Sequence, residues 1–194
     1  ENSLLVAYGK AAEILRSADP DEVCRRTGAA YTEGCYTITF LGSPYRIQVP
    51  DVKFLTEGVL TIVQVLILHY LTTSGGLAVA DEFISFNGVP NGMFYYQSFK
   101  RRSLDKVVRR FAAEPEGLLR AGAAIGGERW KQGECATAIP VFPRITVVVQ
   151  VFAGDDEFPP EANILFSGDI VNFLPAEDTA FLGGWVVSAL SRSV

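Results

Sequence analysis

One histidine, one methionine and three cysteines stand in 194 residues, and each scarcity closes a route to function. Cys24, Cys35 and Cys135 are odd in number and form no C-x-x-C pair. Zinc and cluster motifs are therefore excluded, and a reduced, cytosolic protein is expected. Neither G-x-x-x-x-G-K-[ST] nor G-x-G-x-x-G occurs, which removes the usual phosphate cradles. G-x-S-x-G is missing too, and only His69 is left to act as a base for a cysteine nucleophile, so nucleophilic catalysis has the least support. There is no basic surplus: the net charge is -5, against the concentrated positive surface that nucleic acid requires. No charged and apolar cleavable leader opens the chain, and no apolar run reaches the ~20 residues of a membrane span. Neither a membrane nor a nucleic-acid partner is expected, and the expected location is the cytoplasm.

What is present is a core. Apolar residues make up 48% of the chain and charged residues 20%, the composition of a globular protein. The organising stretch is 54–73, FLTEGVLTIVQVLILHYLTT. From Gly58 to Leu71 only Thr61, Gln64 and His69 interrupt its apolar character, and the apolar positions surround the whole cylinder. This predicts a central helix buried on most sides, with Ser74, Gly75 and Gly76 as its stop.

Around that helix the punctuation predicts further elements. Leu4, Leu5, Tyr8, Ala11, Ala12 and Leu15 recur at helical spacing. Asp19 and Pro20 open a second helix that Gly28 closes. Cys35–Phe40 and Tyr45–Val49 read as a hairpin turning at Gly42, Ser43 and Pro44, with Pro50 ending the second strand just before the central helix. Phe83–Phe86 reads as a short strand. Leu104, Val107, Val108 and Phe111 stripe a helix capped by Ser103, with Arg102, Lys106, Arg109 and Arg110 mostly opposite. Glu114 and Pro115 start another helix, stopped at Gly126 and Gly127. Prolines 140 and 143 bend the chain ahead of Ile145–Phe152, the strongest strand, which pairs with Ala162–Phe166. A last helix begins near Ala176, with Glu177 and Asp178 at its positive end and Phe181, Leu182, Trp185, Val186 and Ala189 on its buried face. The expected fold is α+β: one domain over 1–194, with helices packed on a mostly antiparallel sheet around the 54–73 helix.

Three clusters carry chemistry. His69, beside Tyr70, can be a transition-metal ligand, an axial ligand to a tetrapyrrole, or a general base. It can equally be a hydrogen-bonded structural residue at a helix end. Asp155, Asp156, Glu157, Glu161 and Asn163 place five oxygen-bearing side chains within nine residues. Hard cations take such ligands, although the spacing is not that of a calcium loop and Pro159 and Pro160 stiffen the segment. The metal candidates are thus His69, Asp155, Glu157 and Glu161; the bland alternative is a solvated loop. In MFYYQSFKRR, the rings of Tyr95, Tyr96 and Phe99 precede Lys100, Arg101 and Arg102, a pattern that can hold a planar anion or that simply marks a core aromatic cluster.

Several stretches together, LHYLTTSGG, EFISF, MFYYQSFKRR, GDDEFPPEANILF, NFLPAED and LGG, resemble the domain of unknown function 3786 family of anaerobic bacteria and archaea. The resemblance spans nearly the whole chain. It implies a cytoplasmic accessory protein of anaerobic metabolism, near redox or corrinoid chemistry. Some members carry a cysteine-rich iron-sulfur segment that has no counterpart here, so no iron-sulfur cluster is expected on Cys24, Cys35 or Cys135. The leading expectation is a binding or accessory protein whose pocket joins the end of the central helix, the aromatic-basic segment and the acidic loop. Its partner is then a small molecule, with a tetrapyrrole, a corrinoid or a divalent metal among the candidates. An enzyme using His69 with Glu157 or Glu161, and a module that binds another protein, are the alternatives.

Overall fold

Tyr36, Ile38 and Phe40 are buried, with Thr37 half-buried and Thr39 exposed between them, along the strand Cys35–Phe40 in the first of two sheets. The computed structural model describes residues 2–73 and 82–193. Strand β2 (Cys35–Phe40) lies between β1 (Ala30–Thr32) and β3 (Ser43–Gln48), and β4 (Lys53–Phe54) completes a four-stranded antiparallel sheet. The β2–β3 turn falls at Leu41 and Gly42; Ser43 and Pro44 already pair with Phe40 and Thr39.

The second sheet has the order β5-β9-β8-β7-β6, from β5 (Phe83–Ser85), β6 (Glu128–Arg129), β7 (Cys135–Phe142), β8 (Ile145–Phe152) and β9 (Glu161–Ser167), all antiparallel. Its central strand β8 is mostly apolar, broken only by Thr146 and Gln150, because both faces are covered. Val147, Val148, Val149 and Val151 are all buried, and each such side chain contributes roughly 1.5–3 kcal/mol relative to exposure. The fold class is α+β as expected, with two antiparallel sheets in place of one.

Helices α1 (Asn2–Ser17) and α2 (Pro20–Thr27) precede the first sheet. Asp19 accepts a hydrogen bond from the Asp21 N–H at the start of α2, and Gly28, at φ 74°, closes it by donating to the Cys24 carbonyl. The central helix α3 runs over Thr61–Thr72, which corrects its expected start at residue 54. Phe54 is drawn into β4 opposite Ile47, Leu55 donates to the Arg46 carbonyl, and Gly58 turns the chain at φ +71°. Its predicted stop at 74–76 lies outside the described residues. The helix is buried as its sequence demands: Val63, Val65, Leu66, Ile67, Leu68, Tyr70 and Leu71 are all buried. At its C-terminal end, where carbonyls lack helical partners, the buried Arg26 guanidinium donates to Leu71 O at 2.6 Å.

The two sheets meet beside α3. Leu41 N–H donates to the Val141 carbonyl, Phe40 lies 4.8 Å from Phe142, and Tyr70 stacks on Phe142 at 4.1 Å and on Phe173 at 4.8 Å. Beyond β5 come α4 (Gly92–Arg102), α5 (Leu104–Phe111) and α6 (Glu116–Ala124), and the chain ends in α7 (Ala176–Arg192). Helix α4 packs along α7, and α5 lies over β8 and β9. The α4–α7 approach depends on Gly183, where an added Cβ would stand 2.6 Å from the Phe99 ring. Ser103 does not cap α5 with its side chain. It is fully buried at the kink between α4 and α5, and its hydroxyl has no hydrogen-bond partner. The buried face of α7 also differs from expectation: Asp178, Thr179, Ala180, Leu182, Gly183, Val186, Val187 and Leu190 are buried, while Phe181, Trp185 and Ala189 are half-buried.

Candidate binding cleft

Tyr96, Lys100, Leu104 and Val108 recur every four residues, a spacing that keeps side chains on one helical face. The kink at Ser103 does not interrupt that face. Together with Asp105 and Arg109 they line a cavity of about 550 Å³ whose other wall is Pro159, Pro160, Glu161 and Ala162. The volume is that of a small-molecule site. The structure therefore brings together two of the three clusters singled out from sequence, the aromatic-basic segment and the proline-rich acidic loop.

The cleft wall is shaped by Asp155. Its carboxylate accepts the Glu157 and Phe158 N–H groups at 2.8 and 2.7 Å, and its own N–H donates to the Phe158 carbonyl at 2.9 Å. Those two N–H donors hold the Asp155 carboxyl below its ordinary pKa. Gly154 lets the loop close, since a Cβ there would lie 2.7 Å from Pro160. Asp155 is thus engaged with its own loop. Asp156 and Glu157 are exposed, and Asn163 donates to Gln150 Oε1 at 3.3 Å across β8 and β9. Among the described residues no three His, Cys, Asp or Glu side chains converge as a metal site.

Charge in the cleft is of two kinds. Lys100 Nζ meets Asp105 Oδ1 at 2.6 Å, and that hydrogen bond raises the lysine pKa. The pair is half-exposed and neutral as a unit. Arg109 and Glu161 are exposed and, among the described residues, have no ion-pair partner. Leu104, Val108, Ala162 and the two proline rings supply the apolar part of the lining.

His69 stands elsewhere, in the last turn of α3. Its Nδ1 is 2.5 Å from Oδ2 of Asp178 in the first turn of α7, and the two side chains are 26% and 10% exposed. The hydrogen bond to Asp178 raises the His69 pKa; burial opposes this, and the charges of Asp178 and Glu177 add to it. The imidazolium lies at the negative end of α3 and Asp178 at the positive end of α7, so both helix dipoles favour the pair. An imidazole fixed through Nδ1 can present Nε2 as an acid, a base or a ligand.

The remaining candidates fall into other places. Tyr70 is fully buried, donating from its hydroxyl to the Thr27 carbonyl at 2.7 Å and accepting from Arg144 N–H at 3.2 Å. Burial drives its pKa upward. Phe99 is buried against Phe86, with ring centroids 4.2 Å apart. Tyr95 lines a separate recess of about 320 Å³ with Asn91, Phe94, Pro175, Ala176 and Glu177. Arg102 lies over the Phe181 ring at 5.0 Å, and Arg101 is exposed. The three cysteines are free, Cys35 and Cys135 buried and Cys24 partly so. Sequence reasoning misses Asp178 as the partner of His69, and Asp105, Arg109, Leu104 and Val108 as cleft residues. The four-residue recurrence from 96 to 108 is the available signal for the cleft.

No helix among the described residues is long and apolar enough to cross a membrane. No curated protein and no solved structure matches the chain. A family model does: that of a domain of unknown function (DUF3786), over residues 19–189. The chain belongs to that family.

Proposed function

We propose that this member of the DUF3786 family is a binding or accessory protein that holds a small organic ligand in the cleft between α4, α5 and the 159–162 wall. The observation that carries the reading is the convergence of Tyr96, Lys100 and Arg109 with Pro159, Pro160 and Glu161 around about 550 Å³. Three side-chain chemistries face one space there: a phenol ring, cations with a carboxylate, and an apolar floor. Such a mixture fixes the orientation of a ligand while apolar contact supplies affinity. The assignment to anaerobic metabolism comes from the family resemblance alone. Native mass spectrometry of the purified chain, followed by ligand screening read at the backbone amides of Tyr96, Val108 and Ala162, tests the proposal. Compounds that shift those amides and lose affinity in Val108→Trp support it, whereas ligands that all map elsewhere remove it.

A second reading has its own observation, the His69–Asp178 hydrogen bond of 2.5 Å. A carboxylate that fixes Nδ1 is the arrangement used to orient a general base or a metal-bound or tetrapyrrole-bound imidazole. His69 lines neither the cleft nor the recess beside Tyr95, which ranks this reading second. An absorption spectrum of the chain with added heme or cobalamin, compared with His69→Ala, separates the two readings. Bands that depend on His69 favour the second.

A further inference from the structure

The cleft has one open strand edge. Strand β5 pairs with β9 only at Leu165, Phe166 and Ser167, and after Ser85 the chain turns into a short 3-10 segment, Phe86–Gly88. On its other side β9 is paired with β8 along its length, from Glu161 opposite Phe152 to Phe166 opposite Val147. Among the described residues, the edge of β9 over 161–164 away from β8 therefore has no neighbouring strand; the 3-10 segment packs against β9, where Ile164 is buried, and Glu161 at the start of the edge is exposed. Backbone N–H and C=O groups on such an edge are a template for an added strand. Glu161 and Ala162, at the start of this open edge, are also cleft residues.

The charges point the same way. With Lys100 and Asp105 satisfying each other at 2.6 Å, one cation and one anion are left over, Arg109 and Glu161. Their natural complement carries one negative and one positive group together with apolar surface. A guanidinium is suited to a carboxylate, which it can hold by two parallel N–H donors. Resting on the reading that this cleft is the binding site, we propose that its ligand is a short extended peptide with free termini. Its backbone pairs with the open edge of β9, its carboxylate meets Arg109, its ammonium meets Glu161, and its apolar side chains lie on Leu104, Val108 and the Pro159–Pro160 rings. The volume accommodates roughly two to four residues.

The test uses the full labelled chain and four compounds: the free tripeptide alanyl-valyl-leucine, its C-terminal amide, its N-acetyl form, and indole as an uncharged planar compound. The free tripeptide is expected to shift the amides of Val108, Ala162 and Asn163. Amidation of the peptide, or Arg109→Ala in the protein, should weaken binding by about tenfold or more, the usual loss for a hydrogen-bonded charge. Acetylation, or Glu161→Gln, should weaken it several-fold. Equal binding of free and blocked peptides overturns the proposal. Indole shifting these amides where the tripeptide does not leaves the cleft as a binding site and removes the peptide. No shift from any of the four removes both.

Discussion

Two polar regions of this molecule use charge in opposite ways. At the junction of α3 and α7, His69 and Asp178 are mostly buried, face each other at 2.5 Å and stand at helix ends whose dipoles suit them. In the cleft, Arg109 and Glu161 are exposed at the edge of a cavity with no ion-pair partner among the described residues. Burial makes the first pair costly to break, because a desolvated charge that loses its partner is not rescued by water. Solvent lets the second set stand alone at little cost. A buried and satisfied pair holds the fold together, whereas unsatisfied charges beside a cavity are available to something outside the chain.

The comparison breaks most visibly at Asp178. Asp178→Ala strands His69 and is expected to lower the unfolding free energy by about 1.5–3 kcal/mol while leaving cleft binding within about twofold. Urea denaturation beside a ligand titration measures both. Gly183→Ala comes next, since the new methyl meets Phe99 at 2.6 Å where α4 and α7 touch. Overpacking of this kind costs about 1–3 kcal/mol. Because α4 carries Tyr96 and Lys100 into the cleft while α7 carries Asp178, this variant should disturb both regions, which no surface change does.

The pH dependence follows from sign. His69 has a pKa raised above its unfolded value by the Asp178 hydrogen bond. The stabilisation it supplies is fully present below about pH 6.5, the unfolded value, and is lost as pH rises through the folded value above that. Denaturation midpoints between pH 6 and 9 should fall in the native chain. In Asp178→Asn that slope should largely vanish, and a native chain whose stability stays flat over this range contradicts the assignment of the pair as a stabilising one.

How much of this is legible in the chain depends on the range of the cause. Local signals hold: Asp19, Pro20 and Gly28 bound α2, and the valine run of β8 marks a strand covered on both faces. The start of α3 is misplaced by apolar character alone because Phe54 answers to its strand partner Ile47, seven positions back in β3, and not to the apolar residues that follow it. Ser103 looks like a cap by residue type, yet close packing at Gly183 and Gly184 holds it inside a kink. The cleft is half visible. Aromatic, basic and acidic residues announce themselves by type, but the face shared by Tyr96, Lys100, Leu104 and Val108 becomes a wall only once the loop at 159–162 folds onto it. His69 can be suspected alone; its partner lies 109 positions along the chain, a distance no periodicity spans.

The smallest expected effect is the sharpest test of the contrast. Arg109→Ala and Glu161→Gln remove exposed groups with no ion-pair partner among the described residues, so each should change the unfolding free energy by no more than about 0.5 kcal/mol. Lys100→Ala, which breaks an exposed pair, should cost at most about 1 kcal/mol. Thermal melts of the three variants should then overlay that of the native chain closely, in plain contrast to Asp178→Ala. If Arg109→Ala instead lowers the midpoint as much as Asp178→Ala does, Arg109 is a structural residue, and the division between a satisfied junction and an open cleft fails at its most exposed point.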